Sequence, residues 1–237
     1  MNNKAYNKPS NMNSRDFGMY FDHTLLKAYA SRSDFENFCS DGIKYNVKML
    51  AVNPAAVAFC KGLVKDTDVN VGAAIGFPLG QMTFEAKIFE TKDAISKGAD
   101  EIDYVIDIVE LKSGNLKHVR DEMNAIVSVC REKNVTSKVI FENCYLTEDE
   151  KKFLCETANK VKPDFIKTST GFGSGGATAD DVKLMRLYAE PSIKIKASGG
   201  IKTLAETMQM IEAGAERIGT SSTVSIINEF NKMNPEK

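Results

Sequence analysis

Apolar and polar positions alternate in a repeating order along this chain from about Met19 onward. A short β-like run ends in polar or glycine residues, and a longer stretch with the apolar spacing of an amphipathic helix follows it. Such alternation across short loops is typical of a parallel sheet. The β-like runs fall at residues 20–24, 47–53, 69–77, 101–107, 138–142, 165–170, 193–198 and 217–220. Eight such units in residues 16–237 favour closure into a single-domain (β/α)8 TIM barrel of the α/β class.

Several predicted helices carry start and stop signals of their own. Thr83 can cap a helix that runs to Gly98, and glycine is the typical residue just beyond a helix end. Thr147, three residues before Glu150, predicts a capping box. These signals support the division of the chain into strand–helix units.

The overall charge argues against two classes of partner. The 31 basic and 32 acidic residues give a net charge of -1, which provides no field for nucleic acid or an anionic membrane. No apolar run is long enough to span a membrane. Residues 1–15 are polar and lack the apolar stretch of a signal peptide, so we predict a flexible tail there.

Cysteine and histidine usage narrows the chemistry further. The 5 cysteines include no C-x-x-C pair, which favours a reducing, cytoplasmic location and argues against a disulfide framework or a zinc module. Only His23 and His118 are present, so a histidine-built metal site is poorly supported.

Strand parity separates an apolar face from a charged face in several predicted strands. Alternate residues point to opposite sides, so Glu101 and Asp103 share one side while Ile102 and Tyr104 share the other. The apolar side should meet the helices, and the charged side should therefore point into the barrel, where charges must be paired. The predicted inward set is Lys138, Lys167, Lys194 and Lys196 with Glu101, Asp103 and Glu142. The alternative is the solvated face of an open antiparallel sheet, which the alternation with helices disfavours.

Lys167 is the candidate nucleophile because it ends an apolar strand in DFIKTSTGFG and precedes a Thr/Ser/Gly loop. A free lysine amine has a pKa of about 10.4, but burial and a second nearby cation both favour its neutral, nucleophilic form. Lys196 would supply that cation from the neighbouring strand. Asp103 could relay protons in imine chemistry, or it could only hold a lysine in place. A structural salt-bridge role is the alternative for both lysines.

Three glycine-rich segments occur late in the chain, and two of them follow the last two predicted strands. Small residues let backbone N–H groups approach an anion, and barrels often bind phosphate after the seventh and eighth strands. The segment TGFGSGGAT begins at Thr170, directly after the candidate nucleophile's strand. The candidate phosphate-binding residues are Gly199, Gly200, Lys202, Ser221 and Ser222. Plain turns are the alternative for these glycines.

The chain resembles the deoxyribose-phosphate aldolase family over about residues 21–226. The similar segments, in order, are DHTLLK, LAVNP, GFPLGQMTFEAKIFET, GADEIDYVIDIVELKSGN, DFIKTSTGFG, KASGGIKT and ERIGTSS. The resemblance implies a (β/α)8 barrel and an aldehyde-lyase reaction, the reversible cleavage of 2-deoxy-D-ribose 5-phosphate to acetaldehyde and D-glyceraldehyde 3-phosphate. It assigns the Schiff-base lysine to Lys167, the activating lysine to Lys196 and the proton-relay aspartate to Asp103.

The resemblance also implies a substrate site and the classes of ligand. Asp22 and Thr24 match positions that line the donor and hydroxyl pocket, and Thr170 opens the loop after the nucleophile. The phosphate-loop positions fall on Gly171, Gly199, Gly200, Gly219, Ser221 and Ser222. The resemblance implies sugar phosphates and aldehydes as ligands, no metal and no organic cofactor, and it is compatible with a homodimer.

Two other functions stay open at this point. A related Schiff-base aldolase or a phosphate-binding isomerase would share the glycine and serine loops. A non-catalytic barrel of different specificity would bind a sugar phosphate without cleaving it. Retention of both lysines and the aspartate argues against the non-catalytic alternative.

Overall fold

The computed structural model describes residues 12–234 and contains the predicted closed barrel. Eight parallel strands pair in sequence order, and the last pairs with the first. The strands are β1 (Phe21–Leu25), β2 (Met49–Val52), β3 (Asn70–Ile75), β4 (Glu101–Val105), β5 (Thr136–Ile140), β6 (Phe165–Lys167), β7 (Lys194–Ser198) and β8 (Arg217–Thr220). The helices are α1 (Ser14–Gly18), α2 (Arg32–Lys44), α3 (Val57–Val64), α4 (Phe84–Ser96), α5 (Ile108–Lys112), α6 (Leu116–Glu132), α7 (Glu148–Val161), α8 (Ala179–Tyr188), α9 (Leu204–Glu212) and α10 (Thr223–Met233). The (β/α)8 architecture is therefore confirmed.

The cap signals in the sequence correspond to real helix starts. The Thr83 hydroxyl accepts the backbone N–H of Ala86 and begins α4. Thr147 and Glu150 form the predicted capping box at α7, in which each side chain accepts the other residue's backbone N–H. Each satisfied cap stabilises its helix by about 1 kcal/mol, so these caps help to fix the residue at which each helix begins.

The predicted flexible tail, residues 1–15, extends too far. Residues 1–11 lie outside the described residues, but α1 begins within the predicted tail, and the Asn13 side chain caps it. Phe17 of α1 is fully buried, and its ring stacks on Phe230 of α10 at a centroid distance of 4.2 Å. Burial of this aromatic ring holds a short helix that local signals alone would not stabilise.

Two residues of the predicted inward set lie elsewhere. β5 ends at Ile140, and Glu142 has a left-handed backbone with φ of 57°, which cannot continue a strand. Glu142 therefore belongs to the loop after β5. Lys194 is the first residue of β7 and is exposed, because it lies at the amino-end mouth of the barrel.

The two faces of the strands have opposite chemistry, as the parity predicted. Ile102 and Tyr104 of β4 and Ile195 of β7 are fully buried in the core between sheet and helices. Asp103 and Lys196 alternate with them and are also buried, on the inner side. The barrel interior is thus charged at mid-height. No helix in residues 12–234 has both the length and the apolarity needed to cross a bilayer.

Candidate active site

Asp103 stands at the centre of the site and accepts hydrogen bonds from three lysines. Its Oδ1 accepts from the Nζ of Lys138 at 2.7 Å, and its Oδ2 accepts from Lys167 at 2.9 Å and from Lys196 at 2.6 Å. The strand register explains the convergence, because Asp103 lies opposite Lys138 and Lys167 lies opposite Lys196. The structure thus brings together the two lysines and the aspartate that the sequence singled out.

A second set of ion pairs connects to this group within the barrel. Arg217 donates from Nη1 to Asp22 Oδ1 at 2.6 Å and to Glu101 Oε2 at 3.3 Å. Glu101 also contacts Lys138, at 2.5 Å, and Asp22 contacts Lys196. We call these seven residues the charge cluster: Asp22, Glu101, Asp103, Lys138, Lys167, Lys196 and Arg217.

Two carboxylates of the charge cluster, those of Asp22 and Asp103, stay ionised although burial opposes their charge. Burial raises the pKa of the Asp103 carboxyl, but Lys138, Lys167 and Lys196 hold it well below its usual value. Burial likewise opposes ionisation of Asp22, yet Arg217 and the nearby lysines lower its pKa to about 2. Both side chains are therefore anions throughout the neutral range.

Lys167 differs from its neighbours, because its pKa is lowered to about 8. Burial is the largest cause, Asp103 opposes it, and the Lys196 ammonium adds to it. At pH 7 about a tenth of Lys167 is then neutral, against roughly one part in three thousand for an unperturbed lysine. The sequence predicted that burial and a second cation would both act on this amine, and in the structure burial has the larger effect.

The charge count of the cluster agrees with a neutral Lys167. Three carboxylates, on Asp22, Glu101 and Asp103, face four basic side chains. One basic group can therefore lose its proton without leaving a buried carboxylate unpaired. Lys167 makes one carboxylate contact, whereas Lys196 contacts two. The amine of Lys167 is the one that the cluster holds least strongly as a cation.

A cavity of about 640 Å³ opens above the lysines at the carboxyl ends of the strands. Asp103, Lys167 and Lys196 line it, as do most of the predicted ligand-binding residues. Those residues are Thr24, Thr170, Gly171, Gly199, Gly200, Lys202, Gly219 and Ser221. Asp22 and Ser222 are not among the lining residues: Asp22 is fully buried in the charge cluster, and Ser222 precedes α10. Asp22 contacts Lys196 and Arg217 within the charge cluster.

Close backbone contacts explain the glycines around the cavity. Gly171 and Gly199 both have positive φ, and a side chain on Gly176 would meet the carbonyl oxygen of Gly199 at 2.2 Å. The loops after β6 and β7 can therefore approach one another only as glycine backbone. Lys202 is exposed at the rim, where its backbone N–H donates to Glu206.

Three residues near the lysines escaped the sequence argument or were placed wrongly by it. Arg217 was missed, although its place two residues before Gly219 gives it the same inward parity. Phe77 follows β3, and its ring centroid lies 6.0 Å from the Lys167 Nζ, which adds an apolar wall beside the amine. Glu142, predicted to face inward from β5, instead accepts the backbone N–H and the hydroxyl of Thr170.

Comparison with known proteins decides the family. The model of the DeoC/LacD family aldolases matches residues 17–227. The chain belongs to this aldolase family. A deoxyribose-phosphate aldolase of Lactobacillus acidophilus is 51% identical over 211 residues, which cover 89% of each chain. A deoxyribose-phosphate aldolase of Bacteroides thetaiotaomicron is 45% identical over 224 residues, or 94% of each chain.

Solved structures agree with membership of the family. A putative deoxyribose-phosphate aldolase from Coccidioides immitis superposes with a TM-score of 0.87 at 32% identity, covering 92% of this chain and 87% of that one. A tetrameric deoxyribose phosphate aldolase from Aeropyrum pernix has a TM-score of 0.87 at 29% identity, with 93% of each chain covered. The fold of this chain is thus similar to that of other aldolases.

Proposed function

We propose that this chain is a class I aldolase that reversibly cleaves 2-deoxy-D-ribose 5-phosphate to acetaldehyde and D-glyceraldehyde 3-phosphate through a Schiff base on Lys167. The observation that carries the proposal is the buried Lys167 amine, which lines the cavity and hydrogen-bonds to Asp103. Family membership and the names of the relatives support the substrate.

The first half of the reaction uses the neutral amine. The Lys167 Nζ attacks the C1 carbonyl carbon of the open-chain sugar phosphate, and the resulting carbinolamine loses water to give a protonated imine. That imine accepts electrons more readily than the carbonyl did. Asp103 and Lys196 lie within hydrogen-bonding distance of each other and can pass the protons that these steps exchange.

The second half breaks the C2–C3 bond. The C3 hydroxyl loses its proton through water to the Asp103–Lys196 pair, the bonding electrons move into the imine, and glyceraldehyde 3-phosphate leaves. The enamine on Lys167 is then protonated at C2, and water hydrolyses the new imine to acetaldehyde and free Lys167. The proton taken from C3 balances the one returned to C2.

The phosphate group would lie at the glycine-rich end of the cavity. Gly171, Gly199 and Gly200 have positive φ values that only glycine adopts easily, and a phosphate can approach their backbone closely. The exposed ammonium of Lys202 adds positive charge at the rim. We place Ser221 in this subsite, with Ser222 behind it before α10.

A coupled assay for glyceraldehyde 3-phosphate tests the proposal. Wild-type protein should release it from deoxyribose 5-phosphate, and Lys167→Ala should not. The matched control is Lys194→Met, which removes an exposed lysine outside the charge cluster and the cavity lining and should still form a borohydride-trapped imine. A Lys167→Ala protein that still cleaves the substrate would contradict the proposal. Binding of the sugar phosphate without any aldehyde product would favour the non-catalytic barrel instead.

Assembly and location form a separate part of the proposal. We propose a homodimer in the cytoplasm; the Aeropyrum pernix relative is described as tetrameric. The five cysteines are free thiols, which agrees with a reducing compartment. Light scattering of the purified chain should give the mass of two copies, and a monomer mass would contradict the dimer.

A further inference from the structure

Arg217 is a buried cation of the charge cluster. Its side chain is 8% exposed, at the start of β8, and it is not among the residues that line the cavity. It contacts only carboxylates of the charge cluster, Asp22 and Glu101, among the described ion pairs. Guanidinium stays protonated at every relevant pH, so Arg217 contributes a fixed positive charge.

Each carboxylate that Arg217 contacts also contacts a lysine of the charge cluster. Asp22 joins Arg217 to Lys196, and Glu101 joins Arg217 to Lys138. Lys196 and Lys138 are the two lysines that share Asp103 with Lys167. Because Arg217 neutralises part of the charge on Asp22 and Glu101, these two carboxylates need less positive charge from the lysines.

We propose that Arg217 is a positioning residue for the aldol chemistry, because it neutralises Asp22 and Glu101 and so makes the proton of Lys167 the surplus one in the charge cluster. This inference rests on the function proposed above. With Arg217 present, three fixed cations face three carboxylates when Lys167 is neutral. Without it, the three carboxylates need all three lysines as ammonium ions, and the neutral fraction of Lys167 at pH 7 falls.

The other groups that face Lys167 cannot replace this charge. Asp103 and Lys138 reach it from β4 and β5, Lys196 reaches it from β7, and the Phe77 ring is uncharged. His23 of β1 lines the same cavity, but burial lowers its pKa to about 4, so it is neutral. The remaining charged residues of the lining lie towards the outer part of the cavity: Lys27, Asp34, Asp41 and Lys202.

The test is the pH dependence of imine formation with acetaldehyde, followed by borohydride reduction and mass measurement. Wild-type protein should have a midpoint near 8. Arg217→Met should move it upward by about one pH unit, so that trapping at pH 7 is about tenfold slower. Arg217→Lys keeps the charge and should keep the midpoint. A residue with only a structural role would reduce trapping equally at every pH.

Two further variants make the experiment sharper. Lys194→Met removes a cation from the same end of the barrel, since Lys194 and Arg217 both lie over the Phe165 ring, at 5.5 and 5.1 Å. Lys194 is exposed and has no carboxylate contact among the described residues, so its loss should leave the midpoint unchanged. Glu101→Gln removes an anion and should move the midpoint downward. If Arg217→Met does not fold, the downward shift expected for Glu101→Gln still tests the proposal.

Combining the two substitutions gives the strictest test. Arg217→Met with Glu101→Gln removes one cation and one anion, and the midpoint should return towards the wild-type value. An Arg217→Met midpoint that does not move, or a double variant that stays shifted, overturns the role of Arg217 while leaving the aldolase function intact. Wild-type protein that forms no trapped imine overturns both.

Discussion

Two buried groups of lysines and carboxylates differ in what they can do. The charge cluster lies inside the barrel below the cavity, whereas Lys87 of α4 pairs with Glu122 of α6 outside the sheet, at 2.6 Å. Both Lys87 and Glu122 have fully buried side chains. Burial raises the pKa of the Glu122 carboxyl although its lysine opposes the shift, while three lysines lower the pKa of Asp103.

The difference shows that burial alone does not make a reactive lysine. In the Lys87–Glu122 pair, each charge has one opposite charge, and deprotonation of the lysine would leave a buried carboxylate without an opposite charge. In the charge cluster the basic groups outnumber the carboxylates, and the surplus lysine, Lys167, lines a cavity. On the proposed function, surplus positive charge together with access to the cavity distinguishes the nucleophile Lys167 from the Lys87–Glu122 ion pair.

The largest expected effect separates the two lysines by activity. Lys167→Met should lower kcat for deoxyribose 5-phosphate cleavage to less than about a thousandth of wild type, because no other amine replaces the imine. Lys87→Met should keep kcat at a temperature where it is folded. Steady-state kinetics on both proteins, with circular dichroism as a folding control, makes the comparison. Similar losses of kcat in the two folded variants would break it.

The next largest effect is a loss of stability, and it should appear in Lys87→Met. Lys87→Met leaves Glu122 buried without an opposite charge, so the free energy of unfolding should fall by about 3–5 kcal/mol. The double variant Lys87→Met with Glu122→Leu should recover most of that loss, because no buried charge remains. Urea unfolding of the three proteins measures both changes. A Lys87→Met protein as stable as wild type would show that this pair is not a structural one.

The pH profile sharpens the account of Lys167. Its lowered pKa of about 8 means that the neutral fraction rises through this value. Between pH 7 and pH 9 the rate of imine formation should increase about tenfold and then level off. Stopped-flow kinetics with acetaldehyde gives the profile. A rate that keeps rising towards pH 10.5 would mean that Lys167 behaves as an ordinary lysine.

A surface ion pair gives the smallest effect and serves as a reference. Lys117 and Asp121 of α6 form a pair with 81% and 54% of their side chains exposed. Lys117→Ala should change the free energy of unfolding by no more than about 0.5 kcal/mol and leave kcat unchanged, since water and salt screen this pair. A larger loss would indicate that exposure is a poor guide to the value of an ion pair in this protein.

Much of the fold and the centre of the site could be predicted from local pattern. Strand–helix alternation identified the eight strands, and period-two parity placed Asp103, Lys167 and Lys196 on one side of their strands. Parity succeeded there because those strands are regular over the residues concerned.

The remaining features of the site depend on where each strand ends and on each residue's position along the barrel axis, neither of which parity gives. Parity assigned Glu142 to the interior as a strand residue, although its left-handed backbone places it in a loop. It assigned Lys194 to the same interior, although this lysine lies at the exposed mouth. Asp22 was predicted as a pocket residue, but its contact with Arg217 could not be predicted, because that contact spans 195 positions and exists only once β8 closes on β1.

The most direct test of the central claim is peptide mapping after borohydride reduction in the presence of acetaldehyde. We expect the mass of one ethyl group on the peptide that contains Lys167, and unmodified peptides for Lys138, Lys196 and Lys87. An adduct on Lys196 in place of Lys167, or equal labelling of the buried lysines, would contradict the claim that surplus charge beside a cavity selects the nucleophile.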